Sequence, residues 1–467
     1  MDLHLDLASA PGRSLRARVE HALREAVCGG RLYPGTRLPS TRALCAELGV
    51  SRGVVVDAYA QLAAEGYLQT RRGGGTTVAT TLTRERTSQP EVRSPPTVRH
   101  DMNPFRPALS GFPRAAWSSA YTRVLRELPD ERLAYPDPAG APELRATLAA
   151  HLGRVRGVRA DPTQMVVTNG LRQGIELLWS ALAAGGIRRV AVEDPGWHGI
   201  RQTATAAGLE LVPLPVDDDG LIVERLDRES VDAVAVAPAH QYPTGAVLSP
   251  TRRAALVTWA QTRDALIVED DYDAEYRYDR QPIGSLQGLE PRRVVYGGST
   301  SKTLAPAVRL GWLALPEHLV EPIAALQLLR GGMPAPLEQL ALADLIERGE
   351  LDRHLRRQRR SYRHQRDALL AALASQLPEV SVHGAAAGLY AVLHLPEDLD
   401  EEAVLAAARS RGIALEGLAA DAPALVVGYA NLTDAAVEPA VAALAASITQ
   451  AATEAARSPS GSAPAAR

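Results

Sequence analysis

Lys302 is the only lysine in a chain of 467 residues that carries 51 lysine and arginine side chains. A coding bias toward arginine explains the exposed positions, where either residue serves as a solvated positive charge, but it does not explain the one lysine that remains. Arginine stays protonated at any accessible pH, whereas a lysine amine can lose its proton in a suitable pocket and attack a carbonyl carbon. A single lysine therefore indicates imine chemistry, and chance retention is the alternative.

The loop that contains Lys302 has further groups that could hold a phosphorylated aldehyde. Ser299 and Ser301 supply two hydroxyl groups beside the amine, and Arg309 supplies a positive charge shortly after it. Hydroxyl and guanidinium donors suit a phosphate, which accepts several hydrogen bonds at once. The alternative is that both serines are ordinary polar residues of a loop.

Two predicted strand ends upstream add the remaining groups of such a site. The predicted buried strand that begins at Leu266 ends in Glu269, Asp270, Asp271 and Tyr272, and an earlier run ends at Gly170, just before a helix. Sheets of α/β proteins bind ligands at the carboxyl ends of their strands, and a helix start offers free N–H groups to phosphate. A pyridoxal ring requires an amine, a carboxylate and phosphate donors, and the chain offers all three. The alternative is that the carboxylates are a solvated strand end.

The first eighty residues predict three helices followed by a hairpin with a glycine tip. The helices are expected to begin after Ser14, at Ser40 and at Ser51, and Gly49 makes a tight turn between the second and the third. Two short helices joined by a glycine turn form a helix-turn-helix, whose second helix enters the major groove of DNA. Residues 1–80 hold ten arginines and seven carboxylates, while the whole chain has a net charge of −3, which favours a small basic module.

Composition divides the rest of the chain. Residues 80–100 are rich in Thr, Ser, Pro and Arg without periodicity, which predicts a linker, and residues 454–467 predict a disordered tail. Between them, residues 101–453 alternate apolar runs typical of strands with helical stretches. That alternation indicates a largely parallel sheet covered by helices on both faces.

Several classes of protein are not supported by the sequence. A hydrophobic content of 46% and a charged content of 22% are ordinary for a globular protein of two or three domains. The first residues lack the pattern of a signal peptide, and no stretch offers about 18 uninterrupted apolar residues for a membrane span. Cys28 and Cys45 have neither disulfide nor metal-ligand spacing. We therefore expect a cytoplasmic protein with no metal site.

Both parts of the chain resemble known families. The segment 14–79, with its order of helix, PGTRLPSTRAL, LGVSRG and glycine wing, resembles the DNA-binding domain of GntR-type bacterial regulators. The segment 101–453 resembles the fold type I aminotransferases, and the fusion resembles the MocR/GabR regulators. The resemblance implies an α/β protein with a winged helix-turn-helix at 1–79 and an aminotransferase-like domain with a mostly parallel central sheet at 101–453.

The aminotransferase resemblance also implies roles for individual residues. Lys302 would form an internal aldimine with pyridoxal 5'-phosphate, Asp270 would pair with the pyridine nitrogen, and Tyr272 would hydrogen-bond the ring oxygen. The other implied cofactor positions are Gly170, Leu171, Arg172, Ser299, Ser301 and Arg309 at the phosphate, Trp197 on the ring face, Tyr242, and Tyr135 from a neighbouring subunit. A homodimer is implied as well. Trp197 as an ordinary core residue is the alternative at that position.

The GntR resemblance implies the residues that contact an operator in double-stranded DNA. These are Arg42, Ser51, Arg52 and Gly53 in the helices, and Arg71, Arg72 and Gly74 in the wing. Val54 and Val56 stand where polar residues more often face DNA, so the set that reads bases is expected to be small. The alternative is that the arginines form a solvated face of a scaffold.

Three departures from the aminotransferase pattern favour a sensor over an enzyme. Aminotransferases of this fold hold the substrate carboxylate with an arginine in a strand near the C-terminus, but the matching segment 425–429 has Val426 there. Tyr242 precedes Pro-Thr-Gly, as in the regulators, where aminotransferases tend to have asparagine. Leu171 replaces a common hydroxyl residue of the phosphate loop.

The sequence therefore predicts a transcriptional regulator whose effector is an amine, an amino acid or pyridoxal phosphate itself. A working aminotransferase that carries a DNA-binding head is the competing hypothesis, and steady turnover with a keto acid would favour it. A degenerate fold used only for protein interactions is a third, and it predicts no bound chromophore.

Overall fold

The computed structural model describes residues 3, 5, 7, 10–12, 14–71, 75–79, 98–278, 283–384, 386–418 and 422–457. The chain forms two compact units, 1–95 and 96–467. Most of the predicted linker, 80–97, lies outside the described residues.

The N-terminal unit is a helix-turn-helix followed by a two-stranded antiparallel hairpin. Its elements are α1 (Leu15–Cys28), α2 (Thr41–Leu48), α3 (Arg52–Ala64), β1 (Leu68–Arg71) and β2 (Gly75–Val78). The side chains of Ser14 and Ser40 cap α1 and α2 by accepting hydrogen bonds from backbone N–H groups, as their spacing predicts. Gly49 ends α2 with a φ of +64°, a left-handed conformation that favours glycine. The tight turn predicted between α2 and α3 is therefore present.

The second unit contains the remaining strands and helices. Its strands are β3 (His100–Asp101), β4 (Met165–Thr168), β5 (Arg189–Asp194), β6 (Glu210–Asp217), β7 (Gly220–Leu221), β8 (Ala233–Val236), β9 (Leu266–Asp270), β10 (Val294–Ser299), β11 (Gly311–Ala314), β12 (Ser381–His383), β13 (Tyr390–His394), β14 (Ile413–Ala414), β15 (Glu416–Gly417) and β16 (Ala424–Gly428). Its helices are α4 (Arg114–Glu127), α5 (Pro142–Arg156), α6 (Leu171–Ala184), α7 (His198–Ala206), α8 (Pro250–Arg263), α9 (Thr300–Thr303), α10 (Glu317–Leu329), α11 (Pro336–Glu347), α12 (Glu350–Gln376), α13 (Glu401–Ser410) and α14 (Asp434–Arg457).

The central sheet of this unit has eight strands in the order β4-β11-β10-β9-β8-β5-β6-β7. The five strands from β10 to β6 are parallel to their neighbours, while β11 runs antiparallel to both β10 and β4. Strands β4, β8, β9, β10 and β11 are buried along their whole length, because helices cover both faces of a sheet of this kind. The predicted α/β architecture with a mostly parallel central sheet is confirmed.

A second sheet, in the order β12-β13-β16-β15, is antiparallel. Its strand β15 packs against α13. Helix α14 continues to Arg457 and so extends into the segment 454–467 that the sequence predicts as a tail; residues 458–467 lie outside the description.

Helix α14 is, within the described ranges, the one helix long and apolar enough to cross a membrane, over residues 434–454. It packs against α12 and α13, and its Val441 and Leu444 are fully buried. Such burial is what a core helix of a globular domain requires, and a core helix meets the same criterion of length and composition.

A buried ion pair connects α5 to the residue that follows β9. Arg156 Nε lies 2.7 Å from Asp271 Oδ2, and Arg156 Nη2 lies 3.2 Å from Asp271 Oδ1. Both side chains are at most 3% exposed, and Tyr296 donates a further hydrogen bond of 2.6 Å to Asp271. The alternative that 270–271 is a solvated strand end is therefore wrong. Breaking a buried pair leaves an uncompensated charge in a medium of low dielectric constant.

We expect Arg156→Met to lower the free energy of unfolding of this unit by about 3 to 5 kcal/mol, because it leaves the Asp271 carboxylate buried without its cation. Chemical denaturation monitored by circular dichroism measures the loss. Arg189→Met is the matched control, because Arg189 forms a pair with Glu210 that is accessible to solvent and therefore screened by water. Equal losses in the two variants would contradict the importance of the buried pair.

Candidate functional site

A cavity of about 380 Å³ lies at the carboxyl ends of β4, β9 and β10. Parallel sheets place ligands at this edge. The structure brings together there nearly all the residues predicted to bind a cofactor: Gly170, Leu171, Arg172, Trp197, Tyr242, Asp270, Tyr272, Ser299, Ser301, Lys302 and Arg309. Tyr135 does not line the cavity; it lies after α4 and is 96% exposed.

Lys302 lies on α9, the single turn of helix that follows β10. Its Nζ donates a hydrogen bond of 2.5 Å to the Phe105 carbonyl oxygen and lies 5.3 Å from the centre of the Phe105 ring. Desolvation lowers the pKa of Lys302 to about 8, although the nearby charges of Asp273 and Asp270 oppose the shift. The amine is therefore partly neutral near pH 8, as a nucleophile that attacks a carbonyl carbon must be.

Asp270 is the last residue of β9, and its side chain is buried beside Lys302. Burial, followed by repulsion from Asp271 and Asp273, raises the pKa of Asp270 to about 7. In the described part of the chain, Asp270 Oδ1 has no hydrogen-bond partner. A buried polar atom without a partner is costly, and the protonated nitrogen of a pyridine ring is a donor that would satisfy it. The site thus fits pyridoxal phosphate at the ring nitrogen.

The opposite end of the cavity is formed by close backbone packing. Gly170 precedes α6 with a φ of +86°. In the described structure, no side chain at this N-cap position accepts a hydrogen bond from the first N–H groups of α6. A Cβ atom on Gly311 would lie 2.5 Å from the Gly170 carbonyl carbon, so the strand and the turn touch through backbone alone. Arg309 Nη2 donates a hydrogen bond of 2.8 Å to the Asn169 carbonyl, which holds the guanidinium beside the turn. Free N–H groups and a fixed cation suit a phosphate.

At this end of the cavity, the side chains of Arg172 and Leu171 offer no donor to a phosphate. The Arg172 side chain is exposed and donates a hydrogen bond of 2.7 Å to Gln202 Oε1. Its backbone N–H, in the first turn of α6, is therefore the group of Arg172 that is available to a phosphate. Leu171 packs close to Gly297, where a Cβ atom would lie 2.5 Å from Leu171 Cδ1. The leucine therefore fills space under the turn, where a hydroxyl residue would add a donor.

Aromatic side chains form the walls of the cavity. Trp197 lies just before α7 and covers Gly199, where a Cβ atom would lie 2.3 Å from the indole ring. The rings of Phe105 and Tyr242 lie 4.9 Å apart, and Tyr242 and Tyr390 lie 5.5 Å apart. Flat rings on several sides of a cavity suit a planar heteroaromatic ligand.

Sequence reasoning missed several residues of the cavity: Pro104, Phe105, Glu193, His198 and Tyr390. Phe105 had one available signal, since it is one of only two phenylalanines in the chain. Tyr390 had none, because it comes from β13 of the second sheet, and its position depends on packing between distant segments.

Val426, the residue in place of the expected arginine, is completely buried in β16. It belongs to an apolar cluster with Tyr390, Val392 and Leu418, and Tyr242 packs against the same cluster. A carboxylate brought to this strand would therefore meet a hydrophobic surface instead of a guanidinium.

In the N-terminal unit, the predicted DNA-contact residues of the helices are exposed: Arg42, Ser51, Arg52 and Gly53. Unlike Ser14 and Ser40, the Ser51 side chain makes no capping hydrogen bond, so its hydroxyl is available to a phosphate. Val56 is 43% exposed, whereas Val54 is half-buried and packs against the core of this unit. Arg72, Gly74 and the side chain of Arg71 lie outside the described residues.

Within the described ranges, no group of three or more His, Cys, Asp and Glu side chains is placed to hold a metal ion.

Because Lys302 is unique, its pKa can be measured without assignment. Protein labelled with ¹³C at lysine Cε, and treated with hydroxylamine to remove any bound aldehyde, should give one lysine resonance. We expect its titration midpoint near pH 8 instead of the usual 10.5, because desolvation disfavours the ammonium form. In Asp270→Asn the midpoint should fall further, because a charge that stabilises the ammonium is removed. A midpoint near 10.5 in the unmodified protein would rule out the desolvated amine.

Comparison with known proteins covers both units. Residues 110–444 match the family model "Aminotransferase class I and II", and residues 15–78 match "Bacterial regulatory proteins, gntR family". The aminotransferase fold is seen in solved structures, among them a Pyrococcus horikoshii kynurenine aminotransferase with a TM-score of 0.70, 24% identity, and coverage of 76% of this chain and 92% of that one.

Two curated relatives span both units. The pyridoxine biosynthesis transcriptional regulator PdxR of Corynebacterium glutamicum is 36% identical over 423 residues, which cover 89% of this chain and 91% of the relative. The probable rhizopine catabolism regulatory protein MocR of Rhizobium meliloti is 34% identical over 414 residues, with 84% of each protein covered. The chain therefore belongs to the MocR/GabR-type transcriptional regulators, in which a GntR-family helix-turn-helix domain is joined to an aminotransferase class I and II domain.

Proposed function

We propose that this regulator binds an operator in double-stranded DNA through residues 1–79 and binds pyridoxal 5'-phosphate at Lys302, where an effector is sensed. One observation supports the cofactor most directly. A desolvated amine, the only lysine of the chain, lies in one cavity with a buried carboxylate that has an unsatisfied oxygen in the described structure. No membrane is involved, and we place the protein in the cytoplasm.

Pyridoxal phosphate, when bound, supplies an aldehyde carbon that condenses with primary amines. Lys302 is the amine that this chain offers to it, and Asp270 accepts the hydrogen of the ring nitrogen. Tyr272 donates to the ring oxygen, while Trp197 and Tyr242 cover the ring. The phosphate is held by the following groups: the N–H groups of Leu171 and Arg172, the hydroxyls of Ser299 and Ser301, and the guanidinium of Arg309. Gly170 shapes the turn beside them, and its own N–H donates to the Thr168 carbonyl oxygen at 2.9 Å.

The effector is an amino compound or pyridoxal phosphate itself. The burial of Val426 in an apolar cluster argues against strong binding of a carboxylate at β16. The name of the relative PdxR, a regulator of pyridoxine biosynthesis, supports the vitamin-derived aldehyde as the effector. In either case the ligand shifts DNA binding only to the extent that it binds one arrangement of the protein more tightly than another.

We further propose a homodimer. Large apolar side chains are exposed after α4 and at the end of α10: Leu133 at 63%, Tyr135 at 96%, Leu328 at 54% and Leu329 at 81%. Exposed apolar residues of this size mark interaction surfaces. In the dimer, Tyr135 would lie near the cavity of the partner subunit, which accounts for a tyrosine that its own subunit leaves in water.

An aminotransferase that also binds DNA remains the second candidate, because the cavity retains the lysine and the acid that the enzymes use. Steady conversion of an amino acid and a keto acid by the purified protein would favour it. Operator binding without such turnover favours the regulator.

We expect purified protein mixed with pyridoxal phosphate to show a visible absorption band that is absent in Lys302→Ala. Borohydride reduction followed by peptide mass mapping should leave the cofactor mass on the peptide that contains Lys302. Lys302→Arg is the control for charge, because arginine keeps the cation but does not condense with aldehydes. An unchanged band in either variant would show that the lysine is not the attachment site.

For DNA binding, we expect Arg52→Ala to weaken binding to the operator by about tenfold or more, since a base or phosphate contact of this kind contributes about 1 to 3 kcal/mol. Fluorescence anisotropy at fixed salt, with a site recovered by genomic footprinting, measures the effect. Arg16→Ala is the matched control, because Arg16 is exposed on α1 and paired with Glu20. Equal affinity of the unmodified protein for the site and for a scrambled sequence would contradict specific binding.

A further inference from the structure

A chain of hydrogen bonds between buried groups passes through Tyr272. Asp273 Oδ2 lies 2.8 Å from His240 Nδ1, and His240 Nδ1 lies 3.1 Å from the Tyr272 hydroxyl. The Tyr272 and Tyr390 hydroxyl oxygens lie 3.1 Å apart, and Tyr390 lies 3.1 Å from the Gln241 carbonyl oxygen. The side chains of His240 and Asp273 are only 1% exposed.

The partners of His240 determine where its proton lies. A carboxylate can only accept, so the Nδ1 atom that faces Asp273 carries hydrogen. His240 Nε2 is buried and has no hydrogen-bond partner within the described ranges, so a hydrogen there would be an unpaired buried donor. The Nδ1–H group of His240 is therefore shared between Asp273 Oδ2 and the oxygen of Tyr272.

The other end of the chain determines the direction of the tyrosine hydrogens. The Gln241 carbonyl can only accept, so the Tyr390 hydroxyl donates to it. The Tyr390 oxygen is then free to accept, and the contact between the two tyrosines has Tyr272 as donor. The Tyr272 oxygen receives the His240 hydrogen, so the single hydroxyl hydrogen of Tyr272, directed at Tyr390 here, is the one that it can redirect to a ligand.

Gly388 fixes this arrangement from the side of the second sheet. A Cβ atom there would lie 2.2 Å from His240 Cε1 and 2.6 Å from Asp273 Oδ2, so the backbone presses directly against the pair. Asp273 Oδ1 also lacks a partner among the described residues. His240 Nε2 and Asp273 Oδ1 are thus two buried polar atoms without partners in the described structure, and such atoms lower the free energy of unfolding. A role of the pair in ligand binding explains why the protein keeps this arrangement.

We infer that His240 and Asp273 are positioning residues that hold Tyr272 as a hydrogen-bond donor to the ring oxygen of the bound cofactor. This inference rests on the proposed binding of pyridoxal phosphate at Lys302. His240 does not line the cavity, so it acts through Tyr272, whereas Tyr272 and Tyr390 line it directly.

The test is a pH titration of the absorption of the Lys302–cofactor adduct in full-length protein. A hydrogen bond from Tyr272 stabilises the negative charge of the ring oxygen. When this hydrogen bond is weakened, the nitrogen of the Lys302–cofactor adduct keeps its proton to a higher pH. The other titratable groups close to the pair and the amine are Glu193, Tyr242, Asp270, Glu275, Tyr278, Tyr390 and Tyr429. They are unchanged in the variants compared, so the difference in midpoint reports on His240 and Tyr272.

We expect Tyr272→Phe to raise the midpoint by about one on the pH scale, the equivalent of one hydrogen bond, and His240→Phe to raise it by about half as much. The double variant should match Tyr272→Phe alone, because His240 has no other route to the cofactor. An unshifted midpoint in His240→Phe, or additive shifts in the double variant, would overturn the inference.

Three comparisons separate positioning from misfolding and from failure of the proposed function. His240→Asn retains a side-chain N–H donor and should stay close to the unmodified protein. His151→Phe alters another buried histidine, on α5, and should leave the midpoint unchanged. If the unmodified protein forms no adduct, the proposed function fails; if it forms one that responds equally to His240→Phe and His151→Phe, only the present inference fails.

Discussion

The desolvation of charge at the end of β9 is the constraint on which the candidate site depends. Burial raises the pKa of Asp270 to about 7 and lowers the pKa of Lys302 to about 8, so a carboxylate and an amine whose ordinary pKa values differ widely become nearly matched. The charged form of each group is disfavoured in a medium of low dielectric constant. A ligand that offers a donor to the acid and a carbonyl to the amine relieves both at once.

Three consecutive acids at this strand end have different environments, and only one is left for a ligand. Glu269 accepts hydrogen bonds from the backbone N–H groups of Leu286 and Gln287, and Asp271 is paired with Arg156. Successive side chains of a strand alternate in direction, which places Asp270 apart from its two neighbours. The buried pairs on either side hold the strand end in place, and Asp270 alone keeps an unsatisfied oxygen in the described structure.

The sequence was sufficient for features that depend on neighbouring residues. The strand that ends in Asp270, the glycine turn at 170 and the serine caps each have a local physical cause, and the structure contains them. It was insufficient for features that need distant segments to meet. Phe105 and Tyr390 reach the cavity from a loop and from the second sheet, and the hydrogen bond between His240 and Asp273 joins residues 33 positions apart.

Val426, which stands where the aminotransferase resemblance implies an arginine, belongs to the same sheet as Tyr390. Val426 pairs with Val392 in the ladder between β16 and β13, and β13 also supplies Tyr390. The strand pair therefore carries both Tyr390, whose hydroxyl oxygen accepts the hydrogen bond of Tyr272, and the apolar residue Val426. An enzyme must orient a substrate carboxylate during each turnover, whereas a sensor needs only differential binding free energy between two states. The candidate site has the groups that suit a pyridoxal ring, but Val426 offers no charge that would orient a substrate carboxylate. This combination meets the requirement of a sensor, and we therefore favour regulation over transamination.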